Sequence, residues 1–294
     1  MRVACIGEVM IEMSLDGDVA NLGVAGDTLN TAVYMKRSAP ELDIDYITRL
    51  GTDPFSERIA DFISSELIGT ENIGIVPDAV PGLYAITLSE SGERSFTYWR
   101  SASAARSLFD DADFGFLNDY DLIYLSGISM AILPHMVRLQ LIDFLRDFPG
   151  KVAFDSNYRP QLWSQDNAQE VTSKLWSFCD IALPSIDDEM ALFNETADQV
   201  EARCLGLPGV GALKRGQRGP LAIGSDVSQD YTTAPRVVDT TAAGDSFNGA
   251  YLAALLTGSS QAEALLFGHS VASIVIGERG AIIPKGCLPR RPHQ

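Results

Sequence analysis

An α/β fold is what this sequence predicts: a three-layer arrangement of a mainly parallel sheet with helices on both faces, plus a small separate β-sheet. Three observations predict it. Short apolar runs alternate with segments of helical periodicity along the chain. One stretch, residues 83–99, interrupts that alternation with a hairpin pattern. The 294 residues, 46% of them apolar, suffice for one large domain, taken as 1–294.

Taken in order, Val3 to Gly7 reads as the first strand, Thr28 to Lys36 as a helix and Ile44 to Thr48 as a second strand. Pro54 suits the first turn of a helix whose Phe55, Ile59, Phe62, Ile63 and Leu67 fall on one face. The hairpin arms are Leu83 to Leu88 and Arg94 to Trp99, rich in Tyr, Ile, Thr, Phe and Trp around the polar turn Ser89 to Glu93. An inserted hairpin of this kind is expected to project from the main body. Leu122 to Leu125, Val152 to Phe154 and Ile181 to Leu183 are short buried-type strands, separated by helices at 135–148 and 166–178. Such a βα alternation makes a parallel sheet, and ligands then belong at the carboxyl ends of its strands. The tail from Pro289 to Gln294 is expected to be disordered.

Charge and composition exclude some functions. With 22 basic against 39 acidic residues the formal charge is −17, which argues against nucleic acid and anionic membrane as partners. No run of about 18 apolar residues is present. The N-terminus enters a strand directly, without a charged-then-apolar leader, so a cytoplasmic protein is expected. Cys5, Cys179, Cys204 and Cys287 form no C-x-x-C and are expected to be reduced packing residues. His135, His269 and His293 have no metal-ligand spacing, and His269 reads as structural.

The chemistry concentrates in Asp239-Thr240-Thr241-Ala242-Ala243-Gly244-Asp245-Ser246-Phe247-Asn248-Gly249-Ala250. Phe247, Ala250, Tyr251, Ala254 and Leu255 recur at helical spacing, so a helix should begin near Gly244 with one face buried. Free amides and the positive end of a helix dipole then lie beside one carboxylate, Asp245; the first bind phosphate oxygens and the second can take a proton from an attacking hydroxyl. This block resembles the C-terminal signature of the ribokinase-like (PfkB) carbohydrate kinases. The resemblance implies that Asp245 is the catalytic base, that the amides of Ala242, Ala243 and Gly244 stabilise the transferring group, and that ATP and Mg²⁺ are used, with a monovalent cation left open. The helix N-terminus is expected to keep Asp245 ionised. No G-x-x-x-x-G-K-[ST] and no G-x-G-x-x-G after the first strand occurs, so neither a P-loop nor a dinucleotide site is expected.

Other segments extend the resemblance over most of the chain. Gly26-Asp27-Thr28-Leu29-Asn30 is similar to the family's sugar-site motif, with Ala25 replacing its first glycine; Gly26 would let backbone approach the ligand. Arg49 to Phe55 also resembles a family segment and reads as structural. Tyr84, Tyr98-Trp99-Arg100 and Asn157-Tyr158-Arg159 narrow the acceptor, since guanidinium pairs with carboxylate in a two-pronged geometry. Together they resemble the 2-keto-3-deoxygluconate kinase branch. That implies Gly26 to Asn30, Tyr84, Tyr98, Trp99, Arg100 and Arg159 on the sugar acid, with Asn157, Tyr158 and Arg159 at the sugar–nucleotide boundary. Lys214, Gly216 and Gly219 are similar to the family's nucleotide-binding turn, and Gly277 to Ala281 would flank the adenine. The family's Asn-x-x-Glu is absent; Pro184-Ser185-Ile186-Asp187-Asp188-Glu189 stands there, which leaves Asp188 or Glu189 to organise the metal through water. By the same resemblance, a small sheet from approximately 9–24 and 73–102 closes over the sugar as a lid and mediates a homodimer. The alternatives are another sugar kinase of the fold, for ribose or fructose, or a non-catalytic sugar or nucleotide sensor.

Overall fold

The computed structural model describes residues 1–16, 18–88 and 94–291. The hairpin turn at 89–93 and the last three residues of the tail therefore lie outside the described residues. Twelve strands run in chain order as β1 (Arg2–Ile6), β2 (Met10–Asp16), β3 (Val19–Ala25), β4 (Asp43–Leu50), β5 (Ile73–Ile75), β6 (Gly82–Leu88), β7 (Arg94–Trp99), β8 (Leu122–Ser126), β9 (Lys151–Asp155), β10 (Ile181–Ala182), β11 (Val210–Leu213) and β12 (Leu221–Ile223). The helices are α1 (Asp27–Ser38), α2 (Pro54–Ser65), α3 (Gly127–Ile132), α4 (His135–Asp147), α5 (Gln165–Trp176), α6 (Ile186–Phe193), α7 (Ala197–Leu205), α8 (Ala243–Leu256) and α9 (Gln261–Val275).

Eight strands form one sheet in the order β12-β11-β10-β9-β8-β1-β4-β5. All its pairs are parallel except β11 with β12. Along β1, Val3 and Cys5 join one apolar cluster while Ala4 and Ile6 join the other, because successive side chains leave opposite faces of a strand. Helices α1, α2, α8 and α9 cover the first face; α3, α4, α5, α6 and α7 cover the second. The Arg49 to Phe55 segment is structural in its packing: Asp53 caps α2 by accepting from the amides of Phe55 (2.9 Å) and Ser56 (3.2 Å).

The second sheet has the order β3-β2-β6-β7, separate from the large one. Its strands span Met10–Ala25 and Gly82–Trp99, whereas Ile73–Ile75 pairs with Thr48–Leu50 on the edge of the large sheet. It packs through Met10, Ala25, Tyr84 and Ile86 onto Ala281.

Three other readings need correction. Helix α8 is buried on all sides, not one, from Ser246 to Ala254, because it lies between α1 and α9. Gly249 permits the closeness: a Cβ there would stand 2.5 Å from the Thr31 carbonyl oxygen. Cys5, Cys179 and Cys204 are buried free thiols, but Cys287 is exposed on a surface 3₁₀ turn and packs no core. Within the tail, Arg291 is held by an ion pair to Glu41 at 2.5 Å. No helix among the described residues is long and apolar enough to cross a membrane.

Candidate active site

Chain order in the large sheet reverses between β1 and β8, the place where an open parallel sheet leaves a crevice beyond its strand ends. A cleft of about 1350 Å³ opens there, with Glu8 beyond β1, Asp155 at the end of β9 and Lys214 beyond β11 in its wall. The small sheet forms one end of the cleft through Met10, Ala25, Tyr84, Phe96 and Tyr98.

The N-terminus of α8 opens into the middle of this cleft, where Thr240, Thr241, Ala242, Ala243, Gly244 and Asp245 all line it. The Asp239 side chain ties the approach by accepting from the amides of Thr241 (3.0 Å) and Gly280 (2.7 Å). Ala242 caps the helix in a left-handed conformation, φ 58°, an unfavourable state for a residue with a Cβ. The Ala243 amide donates to the Thr240 carbonyl at 3.2 Å, so one of the expected anion-facing donors is already engaged. No acceptor among the described residues takes the amides of Ala242 and Gly244. Lys214 stands beside them: a Cβ on Gly244 would lie 3.8 Å from its Nζ. Two free amides, a helix dipole and an ammonium therefore converge on one spot, an arrangement suited to phosphate.

Asp245 accepts a hydrogen bond from Asn30 Nδ2 at 2.8 Å through Oδ2. Burial, then the negative charge of Asp27, push its carboxyl up to about 8, against the pull of Asn30 and Lys214. The expected ionised, weakly basic Asp245 is thus corrected: burial and the neighbouring Asp27 charge raise its carboxyl.

A chain of buried polar groups holds this geometry. Lys214 Nζ lies 2.7 Å from Asp155 Oδ2 and 3.1 Å from Asn248 Oδ1. Asn248 Nδ2 donates to the same Asp155 oxygen at 2.6 Å and to the Tyr124 hydroxyl at 3.2 Å. Tyr124 meets Thr31 Oγ1 at 3.1 Å, and Thr31 in turn donates to the Asp245 carbonyl at 3.3 Å.

Beneath the small sheet, Gly26, Asp27, Asn30, Tyr84, Tyr98, Arg100 and Arg159 line the cleft. Asp27 accepts from Ser126 Oγ and from Asn157 Nδ2 (2.8 Å), and burial raises its carboxyl. Arg100 is ion-paired with the buried Glu8, which also accepts from Ser103, and Arg159 pairs with Asp188 at 3.1 Å. Gly26 is extended and lines the cleft, and its missing Cβ makes room for the Glu8 carbonyl, 2.3 Å from where that atom would be.

Several motif neighbours lie elsewhere. Thr28 and Leu29 are buried in α1, the first against the Tyr46 hydroxyl at 3.0 Å and the second in the core. Trp99 is 57% exposed and outside the cleft wall, because alternation along β7 sends it to the face opposite Tyr98. Tyr158 packs into the apolar cluster under the sheet. Gly216 lines the cleft, but Gly219 does not; a Cβ on it would strike the Tyr231 ring at 2.3 Å. The wall at the far end uses Ile276, Ala272, Ser273 and His269, and not Gly277 to Ala281. His269 bonds the Thr232 carbonyl at 2.7 Å.

No group of three or more potential ligands is preassembled for a metal among the described residues. Asp187 and Asp188, in the first turn of α6, do line the cleft with Lys214. Hard carboxylate oxygens fit a magnesium ion that keeps most of its water and takes its other ligands from phosphates. Glu189 is excluded as the alternative: it is fully buried and paired with Arg203 at 2.9 Å.

Glu8, Arg106 and Asn248 were not singled out from sequence, yet Glu8 and Arg106 line the cleft and Asn248 links Lys214 to Asp155. The available signals were an acidic residue directly after a parallel strand and an amide one turn beyond Asp245 on an otherwise apolar helix.

A pfkB family carbohydrate kinase model matches residues 1–286. The 2-dehydro-3-deoxygluconokinase of Escherichia coli (strain K12) is 40% identical over 306 residues, covering 98% of this chain and 99% of the relative. The crystal structure of 2-dehydro-3-deoxygluconokinase from Thermotoga maritima superposes with a TM-score of 0.79 at 18% identity, covering 96% of each chain. An uncharacterized sugar kinase from Pyrococcus horikoshii in complex with ATP gives a TM-score of 0.79 at 21% identity, covering 100% of this chain and 97% of that one.

Proposed function

The chain belongs to the pfkB family of carbohydrate kinases, and from that premise we propose that it transfers the γ-phosphoryl group of ATP to the terminal hydroxyl of 2-keto-3-deoxygluconate (2-dehydro-3-deoxygluconate), giving 2-keto-3-deoxy-6-phosphogluconate. The observation that carries the reading is positional: Asp245 stands between the anion-suited N-terminus of α8 with Lys214 and the recess holding Asp27, Asn30 and Arg100, all in one cleft.

In this mechanism Asp27, Asn30, Tyr84, Tyr98, Arg100 and Arg159 bind and orient the sugar acid. Lys214 and Gly216, with Asn157 at the boundary, face the nucleotide. The acceptor oxygen forms its bond to the γ-phosphorus while the bond to the bridging oxygen breaks and ADP leaves. Asp245 takes the hydroxyl proton as that bond forms. The amides of Ala242 and Gly244 and the Lys214 ammonium neutralise charge on the moving group. Asp188 would hold a magnesium ion through water, and that ion would supply charge neutralisation for the phosphates. The small sheet acts as a lid that keeps water from the phosphoryl group.

Two copies are proposed to pair through the outer face of that sheet, which exposes Leu15 and Trp99. A cytoplasmic location and a stimulating monovalent cation belong to the same reading, as they accompany a sugar kinase acting on a free metabolite.

The test is ADP release with ATP and magnesium across 2-keto-3-deoxygluconate, 2-keto-3-deoxygalactonate, gluconate, ribose and fructose. The expected result is a kcat/KM for 2-keto-3-deoxygluconate at least about 10²-fold above ribose and fructose, the scale of a lost charged contact. Preference for a neutral sugar supports the other kinase reading, and binding without turnover supports the sensor.

A further inference from the structure

We infer that Arg106 is a substrate-binding residue that reads the carboxylate of the sugar acid; this rests on the proposed kinase reading and adds a residue that none of the motifs contains. Arg106 lies on a 3₁₀ turn, Ala104–Ser107, next to Ser103, which donates to the buried Glu8. Its half-buried side chain lines the same cleft as Arg100 and Asp245.

What sets Arg106 apart is its lack of a counter-charge. Each of the other cations around the cleft has a carboxylate: Arg100 has Glu8, Arg159 has Asp188, Lys214 has Asp155 and Arg215 has Glu201. Among the described residues no carboxylate or other acceptor takes the Arg106 guanidinium. Its charged neighbour does not help. Arg138 is buried, and its guanidinium is bonded to the carbonyls of Met130 (2.8 Å), Ala131 (3.4 Å) and Leu133 (2.9 Å), with Trp163 beneath it. Burial lowers the Arg138 value and the Arg106 charge lowers it further, the mark of two cations sharing a region without an anion.

This occurs in a chain of net charge −17, where carboxylates are plentiful. A half-desolvated cation in a cleft wall is unfavourable until an anion arrives, and a guanidinium matches a carboxylate with two parallel hydrogen bonds. Arg100 faces the same recess but shares its charge with Glu8, whereas the charge of Arg106 is unspent.

The experiment measures steady-state kinetics of wild type, Arg106→Gln and Arg106→Lys with 2-keto-3-deoxygluconate and with its neutral C1 carboxamide. Arg106→Gln is expected to raise KM for the acid roughly 10- to 100-fold, with kcat falling far less, while KM for the carboxamide and for ATP stay near wild type. Arg106→Lys is expected to recover part of the loss, which separates lost charge from misfolding. A KM for the acid within about twofold of wild type in Arg106→Gln, or equal rises for acid and carboxamide, overturns the assignment. A wild type that fails to phosphorylate the acid overturns the kinase reading itself; one that succeeds while Arg106→Gln is unchanged overturns only Arg106.

Discussion

Asp245→Asn is expected to lower kcat by about 10²–10⁴-fold, the usual scale for removing a general base, with little change in KM for ATP. The substitution keeps size and leaves the nucleotide-facing amides of Ala242 and Gly244 in place, so binding and chemistry separate. The pH profile gives the second readout. Burial and the Asp27 charge push the Asp245 carboxyl up to about 8. Only the ionised form accepts a proton, so wild-type kcat/KM should rise with pH up to about 8 and level off above it. That limb should vanish in Asp245→Asn and move to lower pH in Asp27→Asn, which removes the neighbouring negative charge. The stability contribution has the opposite slope. The folded value lies above the unfolded carboxylate value of about 3.9, so the proton stabilises the fold below that pH and the gain is lost as pH rises through about 8. Turnover of Asp245→Asn within tenfold of wild type would remove Asp245 from the role of base.

Lys214→Met carries the second large effect, and it falls on stability as well as turnover. Lys214 and Asp155 side chains are 12% and 4% exposed, so this is a buried pair with Asn248 as third member. Methionine removes the cation and leaves Asp155 with only amide donors, from Asn248 at 2.6 Å and the Asn157 backbone at 3.1 Å. Uncompensated buried charges of this kind cost about 3–5 kcal/mol. Urea denaturation should show that loss, and the double variant Lys214→Met with Asp155→Asn should be more stable than Lys214→Met alone, because the stranded charge is gone. Loss of less than about 1 kcal/mol in the single variant would mean that the pair behaves like a surface contact and does not brace the site.

The parallel core was legible because strands buried on both faces carry continuous apolar runs, and β1, β8 and β9 carry such runs. The Gly244-Asp245 helix start was legible for a local reason too, since small residues and periodicity mark it within one segment. Motif spacing alone does not say which neighbours face inward. Thr28 and Leu29 turn into the α1 core and Trp99 turns to the outer face, while Asp27, Asn30, Tyr98 and Arg100 share the cleft. Periods of 3.6 and 2 separate adjacent residues in this way. Glu8 and Asn248 were illegible as site residues because their partners are remote: Glu8 meets Arg100 across 92 positions, and Asn248 meets Asp155 across 93. The protonation of Asp245 was illegible for the same reason, as Asp27 and the burial that raises its carboxyl come from distant parts of the chain.

The most direct measurement is a crystal structure of the enzyme with 2-keto-3-deoxygluconate, magnesium and a non-hydrolysable ATP analogue. The account predicts the terminal hydroxyl oxygen about 2.6–3.2 Å from an Asp245 carboxylate oxygen, with the γ-phosphate on the amides of Ala242 and Gly244 and the Lys214 ammonium. A sugar acid whose terminal hydroxyl lies out of hydrogen-bond reach of Asp245, or a γ-phosphate seated away from the start of α8, contradicts it.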